Sequence, residues 1–104
     1  MDYDLYAQTM KALSDPNRVQ ILDILSCDSL IARDILKHFN FTQPTLSHHI
    51  KVLRDINLVI MKKEGTWHRY SINKKTVEQL MAFTQNLFLE SERCICYTKN
   101  SNQV

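Results

Sequence analysis

Apolar residues recur along the chain at spacings that change from one stretch to the next, and each change marks an element. Tyr3, Tyr6, Met10 and Leu13 fall at three- and four-residue steps, which predicts a first amphipathic helix. Ser14-Asp15-Pro16 follows, a capping side chain and then a proline whose missing N–H costs nothing in a first helical turn. Val19, Ile21, Leu22, Ile24 and Leu25 are apolar on more than one face, so the second helix is expected to be central and buried. A third helix, over about Ser29 to His38, is expected to turn Ile31, Ile35, Leu36 and Phe39 inward. Phe41-Thr42-Gln43-Pro44 repeats the signal of a cap and an early proline. It opens a fourth helix to about Ile56, with Leu46, Ile50 and Leu53 as its buried stripe. Asn57 stands where helices often end in a left-handed residue.

Beyond Leu58 the pattern becomes extended. Leu58 to Lys63 and Trp67 to Ile72 are β-prone, and the chain's one glycine, Gly65, lies between them, which is a hairpin signal. A last helix, from about Lys74 to Glu92, carries Val77, Leu80, Met81, Thr84, Leu87 and Phe88 at three- and four-residue steps. No repeat, low-complexity tract or linker interrupts the 104 residues, a length that suits one domain. The expected fold is mainly α with a small β-hairpin: a winged helix-turn-helix of about five helices plus a two-stranded wing. It is expected to span residues 1–93, with a tail over 94–104 that carries Cys94 and Cys96.

Composition narrows the class. With 44% hydrophobic and 23% charged residues the chain is ordinary for a globular protein and wrong for disorder. The acidic start, Met1-Asp2-Tyr3-Asp4, has no apolar run behind it, so no signal peptide is expected, and no stretch is long enough to span a membrane. Three cysteines, an odd number, argue against a disulfide framework and point to the reducing cytoplasm.

The net charge of +2 hides a polarity. Residues 42–75 hold seven basic side chains (Lys51, Arg54, Lys62, Lys63, Arg69, Lys74, Lys75) against Asp55 and Glu64, a local charge of +5, and the rest of the chain carries −3. A domain polarised in this way offers one positive face to a phosphate backbone. With Leu46, Ile50 and Leu53 turned to the core at 100° per residue, Pro44, His48, Lys51 and Asp55 point away and Thr45 and Ser47 flank them. Thr42, Gln43, Thr45, Ser47 and His48 then cluster at the helix's N-terminal end, where short polar side chains can meet base edges in a major groove. Lys51 and Arg54 trail behind them on the same helix. Lys62, Lys63, His68 and Arg69 flank the hairpin tip Glu64-Gly65-Thr66 and suit backbone or minor-groove contact. Trp67 is expected to pack the wing onto the domain. His49 falls at the core edge and reads as a hydrogen-bonded structural histidine, and the adjacent His48 and His49 diverge too far to share a metal.

Ser14-Asp15-Pro16-Asn17-Arg18-Val19-Gln20-Ile21-Leu22 resembles the second-helix signature of the ArsR/SmtB family of bacterial metal-responsive repressors. Gln43 to Arg54 is similar to that family's recognition helix, with Ser47 and His49 on its serine-x-histidine motif. Leu58-Val59, Gly65-Thr66-Trp67 and Tyr70-Ser71-Ile72 resemble its wing. The resemblance covers roughly residues 3–90. It implies a homodimer joined through the first and last helices, bound to double-stranded DNA at a palindromic operator and released when an effector binds. The apolar stripes of those two helices agree with such an interface.

The two effector sites expected from the resemblance are missing. Ile31 and Arg33 stand where family members place a cysteine pair that binds arsenite or soft metals. His38, His48, His49 and His68 all lie outside the last helix, where other members gather zinc ligands. Cys94-Ile95-Cys96 remains, with Cys27 at the end of the second helix. Two thiols two residues apart can hold one soft ion on a non-helical backbone, and trivalent arsenic or antimony takes three thiolates. Cys94, Cys96 and Cys27 are therefore the candidate ligands for As(III), Sb(III) or another soft metal such as Cd(II). A buried apolar role for Cys27 stands as the alternative, and a thiol redox or sulfur-responsive switch, or an effector-independent repressor, as other readings of the chain. No histidine or acid lies beside either tail cysteine to make a thiol enzyme, and no cofactor is needed for the fold. A protein-interaction module that has lost DNA binding is disfavoured by the basic segment around Ser47, His48, Lys51 and Arg69.

Overall fold

A computed structural model describes residues 1–89 of the chain. The order is α1 (Tyr3–Ala12), α2 (Pro16–Cys27), β1 (Leu30–Ile31), α3 (Ala32–Leu36), α4 (Gln43–Asp55), β2 (Val59–Glu64), β3 (Trp67–Ile72) and α5 (Lys74–Phe88). This is the winged helix-turn-helix arrangement, with α3 and α4 as the helix pair and the hairpin as the wing.

Helix starts follow the local chemistry. Asp2 caps α1 by accepting from the Leu5 N–H at 2.8 Å, and Asp15 caps α2 by accepting from the Asn17 N–H at 2.8 Å. Asn73 does the same for α5, at 3.4 Å from the Thr76 N–H. Thr42 departs from expectation. It occupies the N-cap of α4, but its hydroxyl lies 3.4 Å from the Thr45 hydroxyl and accepts nothing from the helix backbone. Pro44 in the first turn removes one of the N–H groups that such a cap would have to satisfy.

The end of α4 is a Schellman motif. Asn57 takes φ 63°, its N–H donates to the Arg54 carbonyl at 2.9 Å, and the Leu58 N–H donates to the Leu53 carbonyl at 3.0 Å. This reversal drops Leu58 and Val59 straight from the helix into the core, at 1% and 2% exposure. Gly65 takes φ 60° at the first position of the two-residue wing loop, which matches a type II′ turn with Thr66 on the ordinary side.

Ile21 and Leu25 of α2, Ile35 of α3, Leu46, Ile50 and Leu53 of α4, and Leu58 and Val59 form one buried cluster. Leu13, Leu30, Phe39, Phe41, Tyr70, Val77 and Leu80 pack around it. The second helix is thus central, although Val19 faces solvent.

Three expectations need correction. The third helix does not begin at Ser29: Leu30 and Ile31 are extended and pair with Tyr70 and Arg69 of β3. The wing is accordingly a three-stranded antiparallel sheet of order β1-β3-β2, not a two-stranded ribbon. Backbone pairing with a strand far along the chain overrides the helical spacing of the apolar residues there. The last helix stops at Phe88, earlier than Glu92, with Leu89 in an extended conformation.

Asn57 offers a direct test of the turn that joins α4 to the wing. Replacing it with alanine is expected to cost about 1 kcal/mol in urea unfolding, because a Cβ-bearing residue without a polar side chain resists the left-handed region, while Asn57→Gly should be neutral or better. Leu53→Ala, at a site with no exposure, should cost about 2–5 kcal/mol in the same measurement.

Candidate nucleic-acid interface

The two faces of α4 have opposite characters. Leu46, His49, Ile50 and Leu53 are buried, whereas Gln43, Pro44, Thr45, Ser47, His48, Lys51, Arg54 and Asp55 are exposed. Thr42, Gln43, Thr45, Ser47 and His48 therefore stand together at the solvent-facing N-terminal end, as their spacing requires. Lys51 and Arg54 continue the surface one and two turns on, and Lys51 is held by Asp55 at 2.8 Å. That pair is largely exposed to water, so its strength is small and a phosphate can displace the carboxylate.

The hairpin register sorts the wing residues by face. Lys62 lies opposite Arg69, Lys63 opposite His68, and Glu64 opposite Trp67. Lys63 and His68 thus continue the face that begins with the buried Val59 and the half-buried Met61, Tyr70 and Ile72. Lys62 and Arg69 share the other face with Glu64 and Trp67. A recess of about 530 Å³ between α4 and the wing is lined by Arg33, Gln43, Ser47, Thr66, Trp67 and His68 among others. A second, of about 630 Å³, brings Ser47, Lys51 and Arg54 beside Met61 and Tyr70. The two recesses share Ser47 and Tyr70.

Arg69 is differently placed from the other basic residues. Its Nε donates to Glu64 at 2.8 Å and its Nη1 donates to the Ser29 carbonyl at 3.1 Å. That hydrogen bond and charge raise the Arg69 pKa, and the same bond holds the Glu64 carboxyl below its ordinary value. The guanidinium ties the wing tip to the loop before β1. Lys62, Lys63 and Arg54 form no ion pair among the described residues.

Trp67 is half exposed, and its ring lies 5.1 Å beneath the Arg33 guanidinium. It therefore joins the wing to α3 through one face while the rest of the ring stays in the recess. In sequence, Arg33 stands out only as the residue at a position where the family resemblance places a cysteine. Its place in the recess depends on β1 pairing, which no local spacing signals.

His49 is 6% exposed, and its Nδ1 lies 3.1 Å from Nη1 of Arg18. A guanidinium can only donate, so Nδ1 accepts and the ring is the neutral Nε2–H tautomer. Burial lowers the His49 pKa from 6.5; the Asp15 charge opposes that shift, and Arg18 and His48 add to it. For Asp15, burial works against ionisation, but the Asn17 N–H, the imidazolium that His49 becomes at acidic pH and the Arg18 guanidinium outweigh it and leave the pKa lowered. The structural histidine was legible from the helical wheel; its partner Arg18 was not.

Cys27 is exposed at the end of α2, so it has no buried apolar role. Cys94 and Cys96 lie outside the described residues. Among those described, no group of three histidine, cysteine or acidic side chains is arranged to hold a metal ion, and no helix is long and apolar enough to cross a membrane.

Comparison with known proteins agrees with this geometry. The sequence profile of the bacterial regulatory proteins of the arsR family matches residues 15–60, from the α2 cap into β2. The chain is 42% identical to an arsenical resistance operon repressor of Staphylococcus aureus over 96 residues, 92% of each chain. It is 40% identical to an arsenical resistance operon repressor of Staphylococcus xylosus over 103 residues, 99% of each. The solution structure of a homodimeric winged helix-turn-helix DNA-binding domain from Mycobacterium bovis, a possible ArsR-family transcriptional regulator, superposes with a TM-score of 0.68 at 31% identity, over 81% of this chain and 78% of that one. With an α4 that exposes a polar face beside a basic wing, and near-full-length relatives of this kind, the chain belongs to the ArsR family of bacterial transcriptional regulators.

Proposed function

We propose that the chain is a homodimeric repressor that binds a palindromic operator and is released by a thiol-binding metalloid or soft metal, As(III) or Sb(III) first and Cd(II) next. The single observation that carries this reading is the near-full-length identity of 40–42% to two arsenical resistance operon repressors. In the bound state Gln43, Thr45, Ser47 and His48 read base edges from the N-terminal end of α4. Thr42, Lys51, Arg54, Lys62, Lys63 and His68 meet phosphates or the minor groove. Arg69 acts through the wing it braces, and contacts DNA only at the expense of its bonds to Glu64 and Ser29.

Two copies join through α1 and α5. Tyr6 donates or accepts a 2.8 Å hydrogen bond with Thr84, and its ring packs against Phe83 at 4.8 Å, so the two helices already lie together in one chain. No residue of α5 is buried, while Met81 is 61% and Phe88 81% exposed, and Tyr3 and Leu5 on α1 are exposed as well. A helix that carries an apolar stripe without burying it is suited to a second copy. The effector is bound by Cys94 and Cys96, with Cys27 of the same chain or a cysteine of the second copy completing three thiolates. Exposure of Cys27 supports its availability.

Sedimentation of Phe88→Glu and Met81→Glu variants is expected to show monomers where the parent chain is a dimer; dimers of unchanged stability would remove α5 from the interface. In mobility shifts with DNA from upstream of its own gene, arsenite should release the parent protein and leave a Cys94→Ser/Cys96→Ser variant bound. Equal release of both, with no thiolate absorbance band on titration, would end the proposal for the tail cysteines. Binding to random duplex should weaken steeply with salt, and Lys62→Ala/Lys63→Ala should flatten the log–log slope by about 1 to 2.

A further inference from the structure

Arg18 touches three helices at once. Its Nε donates at 2.6 Å to the carbonyl of Ala12, the last residue of α1, where helical carbonyls have no partner within the helix. Its Nη1 donates to Nδ1 of His49 in α4, and the guanidinium pairs at 3.7 Å with Asp15, the N-cap of its own helix. The side chain is 14% exposed, so these contacts sit largely out of water. His49 is packed on its other side by Phe41 at 5.5 Å, and Phe41 stacks on Phe39 at 4.5 Å in the turn before α4. His49 directly follows Ser47 and His48, so rotation of α4 about its axis moves those side chains as it moves the imidazole.

We propose that Arg18 and His49 are positioning residues that fix the roll and tilt of α4 against the end of α1, and so set how well the exposed residues of α4 register with a specific operator. This rests on the reading of α4 as the recognition helix. If α1 carries the dimer contact, one guanidinium links the dimer arm to the DNA-reading arm, and the separation of the two recognition helices depends on it. Lysine cannot replace it, because an ammonium lacks the planar fork that reaches two acceptors in fixed directions.

The bridge exists only while His49 is neutral. The charged and titratable groups that face it are Arg18 of α2, Asp15 at the start of α2, and His48 of α4; the packing from Phe41 is apolar. Protonation takes away the acceptor and sets an imidazolium against a guanidinium, with Asp15 as the one acid among them. The folded-state pKa lies below the unfolded 6.5, so the unfolded chain binds the proton first as pH falls. Stability from this group is therefore complete above pH 6.5 and lost as pH drops below it toward the folded pKa.

The test compares the parent chain with Arg18→Met, His49→Leu and His49→Asn, each checked for fold by circular dichroism. Affinity for duplex from upstream of its own gene is measured against random duplex of equal length, from pH 7.5 to 5.5. Arg18→Met and His49→Leu should lower the specific-to-random ratio by roughly tenfold at pH 7.5, with random-duplex binding and its salt slope little changed. His49→Asn, whose side-chain oxygen stands near the Nδ1 position and does not titrate, should recover most of the ratio and abolish the decline that the parent shows as pH falls through the folded pKa of His49, which lies below 6.5. Should His49→Leu fail to fold, the pH profile of His49→Asn still decides. An unchanged ratio in the folded variants, or parallel pH profiles for parent and His49→Asn, would overturn the positioning role alone. A parent chain that binds neither duplex would overturn the reading of α4 itself.

Discussion

Burial of one side of α4 governs most of what this molecule can do. Leu46, Ile50 and Leu53 meet Ile21 and Leu25 of α2 and Leu58 and Val59 of the chain beyond in a single cluster. Once that stripe is inside, helical geometry leaves Thr45, Ser47, His48 and Lys51 no direction but outward. Function and stability thus use opposite sides of one element, so polar residues could specialise on the outer side without disturbing the core. The Schellman turn at Asn57 carries the same constraint forward, because it buries Leu58 and Val59 and thereby sets where the wing leaves the domain.

Charge is distributed so that some basic residues build the surface and others are left to act on it. Arg69 and Arg18 are spent on holding structure, one between the wing tip and the loop before β1, the other among three helices. Lys62, Lys63 and Arg54 have no acidic partner among the described residues. A charge count from the sequence treats all of these alike. The second group is free to meet a phosphate, whereas the first is already engaged within the protein.

The start of α3 departs from the family resemblance that the rest of the helix pair keeps. Ile31 lies half-buried in β1 and Arg33 covers Trp67, so the α3 end that the family resemblance marks for thiols is filled by strand pairing and a cation–aromatic contact. The thiols of this chain are instead Cys27, exposed at the end of α2, and Cys94 and Cys96 beyond the described residues.

Caps, stripes and turn residues were legible without coordinates because each depends on neighbours a few positions away. Asp15 before Pro16, the Leu46–Ile50–Leu53 spacing, Asn57 and Gly65 each carry their own local physics, and each behaves as that physics demands. Thr42 had the right residue type and position, yet made no capping bond. β1 was invisible because two residues become a strand only through a ladder to Tyr70 and Arg69, and the Arg18–His49 contact was invisible because side-chain direction at two distant helices decides it. Local spacing by itself determined the order of elements, the core stripe of α4 and the set of polar residues facing outward. Only the tertiary structure decided which charges are free, which are braces and how α4 is held, because those depend on long-range pairs that no short window of sequence contains.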